Sequence, residues 1–420
     1  KERFLLGLAL PLAEEIVERL SKLEETDKIN FAGSLRRKKE TIGDIDILVT
    51  SQKPEKIMKT FVSLPQVREV LAEGPTKSSV ITRDDIHIDV RVVEPISFGA
   101  ALQYFTGSKA HNIKLRELAV KKGLKINEYG VFDSKTGQRI TGEEEEEVYQ
   151  ILNLPFIPPE LREDRGEIEA AQENELPRLI EYSQIKGDLH LHTKWSDGAH
   201  TIRQMAEEAK KRGYNYIAIT DHSQSLKFAG GLTEERLREQ IEEIQKLNQE
   251  LDNFTVLTGI EVDIKSDGSL DFSDEILSKL DVVVAAIHSG FKQESKIITE
   301  RIIKAMQNKF VHIIAHPTGR LIRYREAYQV DINEMIKVAA ETGTVLEINA
   351  HPERLDLNDV YCRMAKDRGV QLAIDTDAHS AEGLATMDFG VAVARRGWLE
   401  EKDIINTLPL DKLVKRLKNK

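Results

Sequence analysis

Histidine is the residue type whose placement in this chain most invites a chemical reading. Nine of the eleven histidines fall after residue 186. In Gly187-Asp188-Leu189-His190-Leu191-His192 two of them flank one apolar residue in an extended stretch. Side chains two apart on a strand share a face, so His190 and His192 can grip one ion together. Asp197 follows in the turn Trp195-Ser196-Asp197-Gly198. The other candidates close short apolar runs: His222 after Ala218–Asp221, Glu261 after Leu257–Ile260, His288 after Val284–Ile287, His316 after His312–Ala315, and Asp377 with His379 after Ala373–Thr376. Imidazole and carboxylate donors suit zinc, manganese or iron. A carboxylate such as Glu261 can bridge two ions, and ions so held acidify water toward neutrality and clamp phosphoryl oxygens. The chemistry implied is hydrolysis of a phosphate ester. Any one of these histidines alone would more often be a hydrogen-bonded structural residue; the joint pattern reverses that. His200, His312 and His351 keep the structural reading, His200 at a helix start and His312 on the opposite strand face.

A second constellation, of carboxylates, lies upstream. Gly43-Asp44-Ile45-Asp46-Ile47 begins a strand with Asp44 and Asp46 on one face, and Ile86-His87-Ile88-Asp89-Val90 offers Asp89 from another. Three convergent carboxylates can hold two Mg²⁺ ions beside an in-line phosphoryl transfer. A lone Asp-x-Asp is a weak signal. Here Gly33-Ser34 precedes it, a small-residue turn whose amides and hydroxyl can receive phosphates, with Arg37 close by. Tyr104-Phe105-Thr106-Gly107-Ser108, Asn112 and Arg116 follow.

The elements that must position these groups fall into blocks. Residues 1–95 mix helical patterns with β-rich runs at 29–32, 45–50, 79–82 and 86–93. Residues 96–157 are mixed and end in the acidic helix start Glu143–Glu147, where carboxylates complement a helix N-terminus. Residues 158–186, opening with Pro158-Pro159, show little periodicity and read as a linker. From Gly187 short apolar runs alternate with amphipathic segments, which means a parallel sheet or barrel. Strand C-termini converge on one rim of such a barrel, where active sites lie, and six strand ends here carry ligand types.

Bulk properties set the limits. A length of 420 residues suggests two to four domains. No run approaches the ~18 apolar residues needed to span a bilayer, and no signal peptide is visible. The single cysteine, Cys362, excludes an internal disulfide framework and a cysteine-based zinc site, and fits a reducing cytosol. A net charge of −11 argues weakly against nucleic-acid partners, but binding follows the local field. Residues 101–125 carry six basic residues against one acid, and Arg36-Arg37-Lys38-Lys39 is another basic patch. Either could be a solvated face. The first residue is Lys1, so the chain is expected to be a fragment.

From residue 187 onward the chain resembles the PHP (polymerase and histidinol phosphatase) family, on the His190/His192 pair, Asp197, Thr220-Asp221-His222, Glu261, His288, His316 and Asp377/His379. The resemblance implies a distorted (βα)7 barrel with up to three Zn²⁺, Mn²⁺ or Fe²⁺ ions. One ion would take His190, His192, Glu261 and Asp377, a second Glu261, His288 and His316, and a third Asp197, His222 and His379. Asn349 and Arg354 would face substrate. The upstream series of Gly33-Ser34, Asp44, Asp46, Asp89 and Tyr104-Phe105-Thr106-Gly107 resembles the nucleotidyltransferase palm of X-family DNA polymerases. That implies Mg²⁺ or Mn²⁺ on the three aspartates, and a nucleotide site built from Gly33, Ser34, Arg37, Tyr104, Phe105, Gly107 and Asn112. Arg116 and Lys109 would lie along DNA. Lys109 and His87 depart from the better-known eukaryotic pattern, which has an acid and an arginine there; this bears on nucleotide handling and leaves the metal carboxylates intact.

The expectation is therefore an α/β and α+β multidomain chain: palm with a mixed sheet (1–95), small thumb (96–157), linker (158–186) and PHP barrel (187–420). It would act as a cytoplasmic, monomeric repair polymerase with a 3′–5′ exonuclease, meeting gapped or 3′-ended DNA and dNTPs and no membrane. Relatives of this kind also carry helix-hairpin-helix and fingers modules, expected to be missing here. The rival expectation is a histidinol-phosphatase-like enzyme of small phosphoesters with a vestigial palm.

Overall fold

The computed structural model describes residues 2–420. The chain forms two compact units, one ending at Leu176 and the other spanning Pro177–Lys420.

In the first unit a five-stranded mixed sheet has the spatial order Lys28–Phe31, Ile45–Thr50, His87–Val92, Lys77–Thr82, Val67–Glu73. Strand periodicity sorts the residues of Ile45–Thr50: Ile45, Ile47 and Val49 are buried on one face, while Asp46 and Leu48 point to the other. Leu48 packs there against Ala101 and Leu102 of helix Phe98–Thr106. That helix leads into helix Lys109–Lys121 and a small antiparallel sheet of Leu124–Asn127, Gly130–Asp133 and Arg139–Thr141. The acidic start predicted near residue 143 forms helix Glu145–Gln150, with a capping box between Glu144 and Glu147. The strand Val67–Glu73, which pairs with Lys77–Thr82, is not predicted from sequence; residues 68–73 are exposed, so no apolar alternation marks it.

Residues 158–186, read as a linker, are packed instead. Arg162 is fully buried, donates to the Ile157 carbonyl at 2.9 Å, and stands over the rings of Tyr149 and Phe156. Its guanidinium pairs with Glu145. Glu167 is buried against His111, at 2.7 Å from Nδ1. Two charged anchors do the work that an apolar stripe usually does, so periodicity is blind to them.

The second unit is a seven-stranded parallel sheet in sequential order: Gly187–Leu191, Tyr216–Ile219, Thr255–Asp263, Val282–Ala286, Ile313–Ile314, Val345–Asn349 and Leu372–Asp375. Every second residue points inward. Tyr216, Ala218, Val282, Val284 and Ala286 join one interior cluster, while Ile217, Ile219, Val283 and Ala285 pack outward against helices. Leu413 and Leu417 of helix Leu410–Lys418 enter the interior cluster. The sheet curls until first and last strands meet. His192 N donates to the Ala378 carbonyl at 2.9 Å, and Asn406 Nδ2 donates to the carbonyls of Gly187 and Ile374. The result is a nearly closed, distorted (βα)7 barrel. No helix among the described residues is long and apolar enough to cross a membrane.

Candidate metal centre

The nine donors named from sequence all lie on strands or on the loops that follow them at the C-terminal rim of the barrel. His190 and Glu261 sit within strands; His192, His222, His288, His316, Asp377 and His379 stand just beyond strand ends, and Asp197 on the first rim loop. His316 and Asp377 hold positive φ, 27° and 56°. A β-carbon disfavours that conformation, so the surrounding structure holds these turns against local preference.

Side-chain atoms converge as a shared ligand set would require. His190 Nε2 is 3.1 Å from Glu261 Oε2 and 3.3 Å from Asp377 Oδ1. His192 Nε2 is 2.8 Å from Asp377 Oδ1, 3.2 Å from Glu261 Oε2 and 3.3 Å from His190 Nε2. Donors bound tetrahedrally at about 2.0–2.2 Å would stand roughly 3.3 Å apart. The other Glu261 oxygen, Oε1, lies 3.1 Å from His288 Nε2 and 3.2 Å from His316 Nε2. Asp197 Oδ2 is 3.3 Å from His379 Nε2 and 3.5 Å from His222 Nε2. His222 also turns Nδ1 toward Glu261 Oε2 at 3.2 Å, so it stands between two donor groups. Three tight groups result: His190, His192, Glu261 and Asp377; His222, Glu261 and His288; and His192, Asp197, His222 and His379.

These residues fit divalent cations. Buried polar atoms are nearly always paired, yet His192 Nδ1, His222 Nδ1, His316 Nδ1 and Glu261 Oε2 are buried with no hydrogen-bond partner. Burial alone would raise the Glu261 carboxyl; the imidazoles of His222, His190 and His288 override it and hold it well below the usual carboxylate range. Burial would likewise lower His190, but Asp377, Glu347 and Glu261 hold it well above the usual imidazole value.

Sequence reading missed the residues that aim the donors. Glu347 is buried, 2.6 Å from His190 Nδ1, and also accepts from His316 N at 2.7 Å. Asp263 Oδ1 is 3.1 Å from His288 Nδ1. Asp221 accepts from Thr193 N, Ser196 Oγ and Gln240 Nε2, and so pins the loop that carries Asp197. Partners of this kind fix tautomer and ring orientation. Glu347 did carry a signal, a lone acid within the apolar run 344–348. Asn349, expected to face substrate, donates to Asp377 Oδ2 at 3.0 Å instead; Arg354 Nε is 4.0 Å from the same oxygen.

The palm residues are arranged differently. Asp46 and Asp89 are register partners on parallel strands, and Asp44 immediately precedes the first of these strands. Burial, then the charges of Asp44 and Asp89, push the Asp46 carboxyl up. Lys77 Nζ lies 3.1 Å from Asp89 Oδ2 and His87 Nε2 3.2 Å from Oδ1. A β-carbon on Gly33, where φ is 66°, would stand 3.5 Å from Asp46 Oδ2, which places the Gly33-Ser34 turn beside the acids. Tyr104 and Phe105 meet edge to face at 5.1 Å. Two residues expected at the nucleotide site already have partners within the fold. Arg37 is buried, with Nε 2.7 Å from Glu163 Oε1 and Nη1 on the Thr106 carbonyl. Asn112 donates to the Tyr104 carbonyl and accepts from Gln103, both at 2.8 Å. Both side chains are engaged inside the fold; Lys109 and Arg116 are exposed.

The family models for the DNA polymerase beta palm, the DNA polymerase beta thumb and the PHP domain match residues 10–89, 101–163 and 188–351. The chain is 47% identical to the DNA polymerase/3′-5′ exonuclease PolX of Bacillus subtilis (strain 168), over 97% of this chain and 72% of that protein. It is also 30% identical to a probable phosphatase of Thermoanaerobacter sp. (strain X514), over 56% of this chain and 94% of that one. A probable phosphatase of Shewanella oneidensis is also 30% identical, over 54% and 89%. The chain belongs to the bacterial X-family DNA polymerases that carry a PHP domain.

Proposed function

We propose that this chain is a DNA repair polymerase that fills gaps by nucleotidyl transfer at its palm and trims 3′ ends by metal-dependent phosphoester hydrolysis in its barrel. It would work in the cytoplasm as a monomer, with residues 1–95 as palm, 96–157 as thumb and 187–420 as the PHP domain. The observation that carries the reading is the convergence of nine donors on one rim of the barrel, His316 joining the others through Glu261.

In the barrel, His190, His192, Glu261 and Asp377 would hold one ion, Glu261, His288 and His316 a second, and Asp197, His222 and His379 a third. Zinc, manganese and iron all suit this donor set. Bound ions supply acidified water and neutralise charge on the phosphoryl oxygens. The protein's own part is preorganisation: Glu347 and Asp263 hold imidazoles in place, so little reorganisation accompanies the reaction. At the palm, Asp44, Asp46 and Asp89 would hold two Mg²⁺ or Mn²⁺ ions, which commonly bind through few carboxylates plus substrate phosphates. Gly33 and Ser34 would receive the triphosphate, with Arg37 behind them. Tyr104, Phe105 and Gly107 would lie against the sugar, Asn112 would hold that turn, and Lys109 and Arg116 would run along DNA.

Asp46→Ala is expected to abolish synthesis and spare hydrolysis. His190→Ala combined with His192→Ala should do the reverse. Loss of both activities from either folded variant would refute the two-site assignment. A second reading, hydrolysis of small phosphomonoesters, is supported by the chain's likeness to probable phosphatases. Comparing turnover of single-stranded DNA with that of small phosphomonoesters decides between the two.

A further inference from the structure

Two large side chains of the barrel unit stand almost wholly in solvent: Phe228 is 90% exposed and Tyr324 72%. Both are on rim loops. Phe228 lies on the loop after the second strand, Tyr324 on the loop after the fifth. In a ring of seven strands the second and fifth stand on opposite sides of the mouth, so the two loops rise from opposite sides of the rim.

Each loop is anchored close to the metal centre. A β-carbon on Gly230 would stand 3.2 Å from the Ser196 carbonyl, next to Asp197. Arg236 clamps the same loop, donating to the carbonyls of Gly230 at 3.1 Å and Trp195 at 2.6 Å. On the other side, Ile322 N donates to the Glu353 carbonyl at 2.6 Å and Arg320 Nε to the Arg354 carbonyl at 2.8 Å, beside the arginine that approaches Asp377. Each exposed ring has a cation as its chain neighbour, Lys227 for Phe228 and Arg323 for Tyr324. Lys194, Lys227 and Lys292 are exposed on rim loops and form no ion pair among the described residues. By contrast, Phe291 on a third rim loop is already covered, stacked on Tyr328 and capped by the Arg325 guanidinium at 4.3 Å. Trp195, on the first rim loop, is covered by the Arg236 guanidinium, so among the described rim-loop residues Phe228 and Tyr324 offer the exposed rings.

Resting on the reading of the barrel as a DNA phosphoesterase, we propose that Phe228 and Tyr324 are stacking platforms for bases flanking the scissile phosphate, with Lys194, Lys227 and Lys292 on the backbone. Aromatic faces interleaved with cations are the composition that an unpaired nucleic-acid strand requires. Stacking takes any base, and lysines follow the phosphates. A duplex keeps its base faces stacked on one another, so it could not use these rings. They would act through substrate position and leave the donors untouched.

The test is steady-state hydrolysis of a 5′-labelled single-stranded oligonucleotide by the whole, metal-loaded chain. Loss of a base–aromatic stack weakens binding by roughly 5- to 150-fold. The double variant Phe228→Ala with Tyr324→Ala should therefore raise KM by about 30-fold or more, with kcat changed much less. Phe228→Trp with Tyr324→Trp should restore KM to within about threefold, since the π face is kept. If the unaltered chain hydrolyses the oligonucleotide and the alanine variant keeps its KM, the platform is refuted and the DNA reading stands. If the unaltered chain turns over bis-p-nitrophenyl phosphate but no oligonucleotide, the DNA reading falls and takes the platform with it.

Discussion

In the barrel, His190, His192, Glu261 and His316 are at most 2% exposed, and their neighbours Glu347 and Asp263 already hold two of the rings in place. In the palm, Asp89 is 17% exposed and shares its oxygens with Lys77 and His87. The barrel offers full donor groups from protein alone. The palm offers three carboxylates whose remaining partners must come from outside. Ions held by three or four protein donors stay bound while leaving a position open for water or substrate. Mg²⁺ sites of a few carboxylates fill together with substrate phosphates. On the proposed assignment the barrel centre would be resident and the palm centre assembled, and their opposite architectures would follow from which partner brings the charge.

Metal content is the widest gap this contrast predicts. After dialysis without chelator, elemental analysis should find transition metal in the unaltered chain and in Asp46→Ala at equal levels. His190→Ala with His192→Ala should lose at least about one ion per chain and at least about 10³-fold of hydrolysis. Equal metal loss in the Asp46 variant would erase the distinction between the sites.

A smaller effect should follow from the buried acid behind His190. Glu347→Gln keeps the shape and removes the charge that fixes the imidazole. Changes to such partners cost about 10- to 100-fold in metal affinity. Competition with a fluorescent chelator should show that loss, while primer extension stays unchanged. An affinity within about twofold of the unaltered chain would mean that the donors need no support.

How much of this was legible in the sequence differs between the two regions for the same reason. Most barrel donors close short apolar runs, and the ends of parallel strands in a barrel meet at one rim. His190 and His192 share a face because residues two apart on a strand must. The palm aspartates obey the same rule, and the register of Asp46 against Asp89 is its consequence. Positions set by tertiary pairing escaped. Arg162 and Glu167 turn an apparent linker into packed structure, the first through an ion pair with Glu145 and the second through a hydrogen-bond contact with His111. Asn112 and Arg37 match a nucleotide-site pattern in type, but their hydrogen bonds run inward. Residue identity shows what a group can bind; only the fold shows what it already binds.

A third measurement separates the barrel rim from its floor. His312 lies at the opposite end of the barrel from the donors, where its Nδ1 accepts from Val283 N at 2.9 Å. Burial, with Lys420 and Arg416 nearby, lowers its pKa from 6.5 to about 4. The folded state therefore favours the neutral ring. That contribution is fully present above pH 6.5 and is lost as pH falls toward 4. Between pH 7.5 and 5 the loss should be about 2 kcal/mol. Both tryptophans, Trp195 and Trp398, lie in the second unit, so their fluorescence in urea reports that unit alone. His312→Asn keeps an acceptor for Val283 and should reduce the pH-dependent loss by that amount. An unchanged slope would place the acid sensitivity elsewhere.

The smallest effect bears on the palm, where an anion-binding group is already engaged. Arg37 and Glu163 are 2.7 Å apart and nearly buried, with side chains 11% and 12% exposed. A triphosphate that draws on Arg37 must compete with that carboxylate, because charge-assisted bonds to carboxylate and phosphate are of similar strength. Glu163→Gln weakens the competitor while keeping a hydrogen-bonding side chain. If Arg37 reaches the triphosphate, KM for dNTP should fall by about threefold, roughly 0.7 kcal/mol. If Glu163 instead serves to aim Arg37, KM should rise. If KM does not move, the guanidinium is a structural tie between the Gly33-Ser34 turn and the residue 158–176 segment. The palm would then depend on the aspartates and their incoming ions for its hold on phosphate, which would make it still more an assembled site than the barrel.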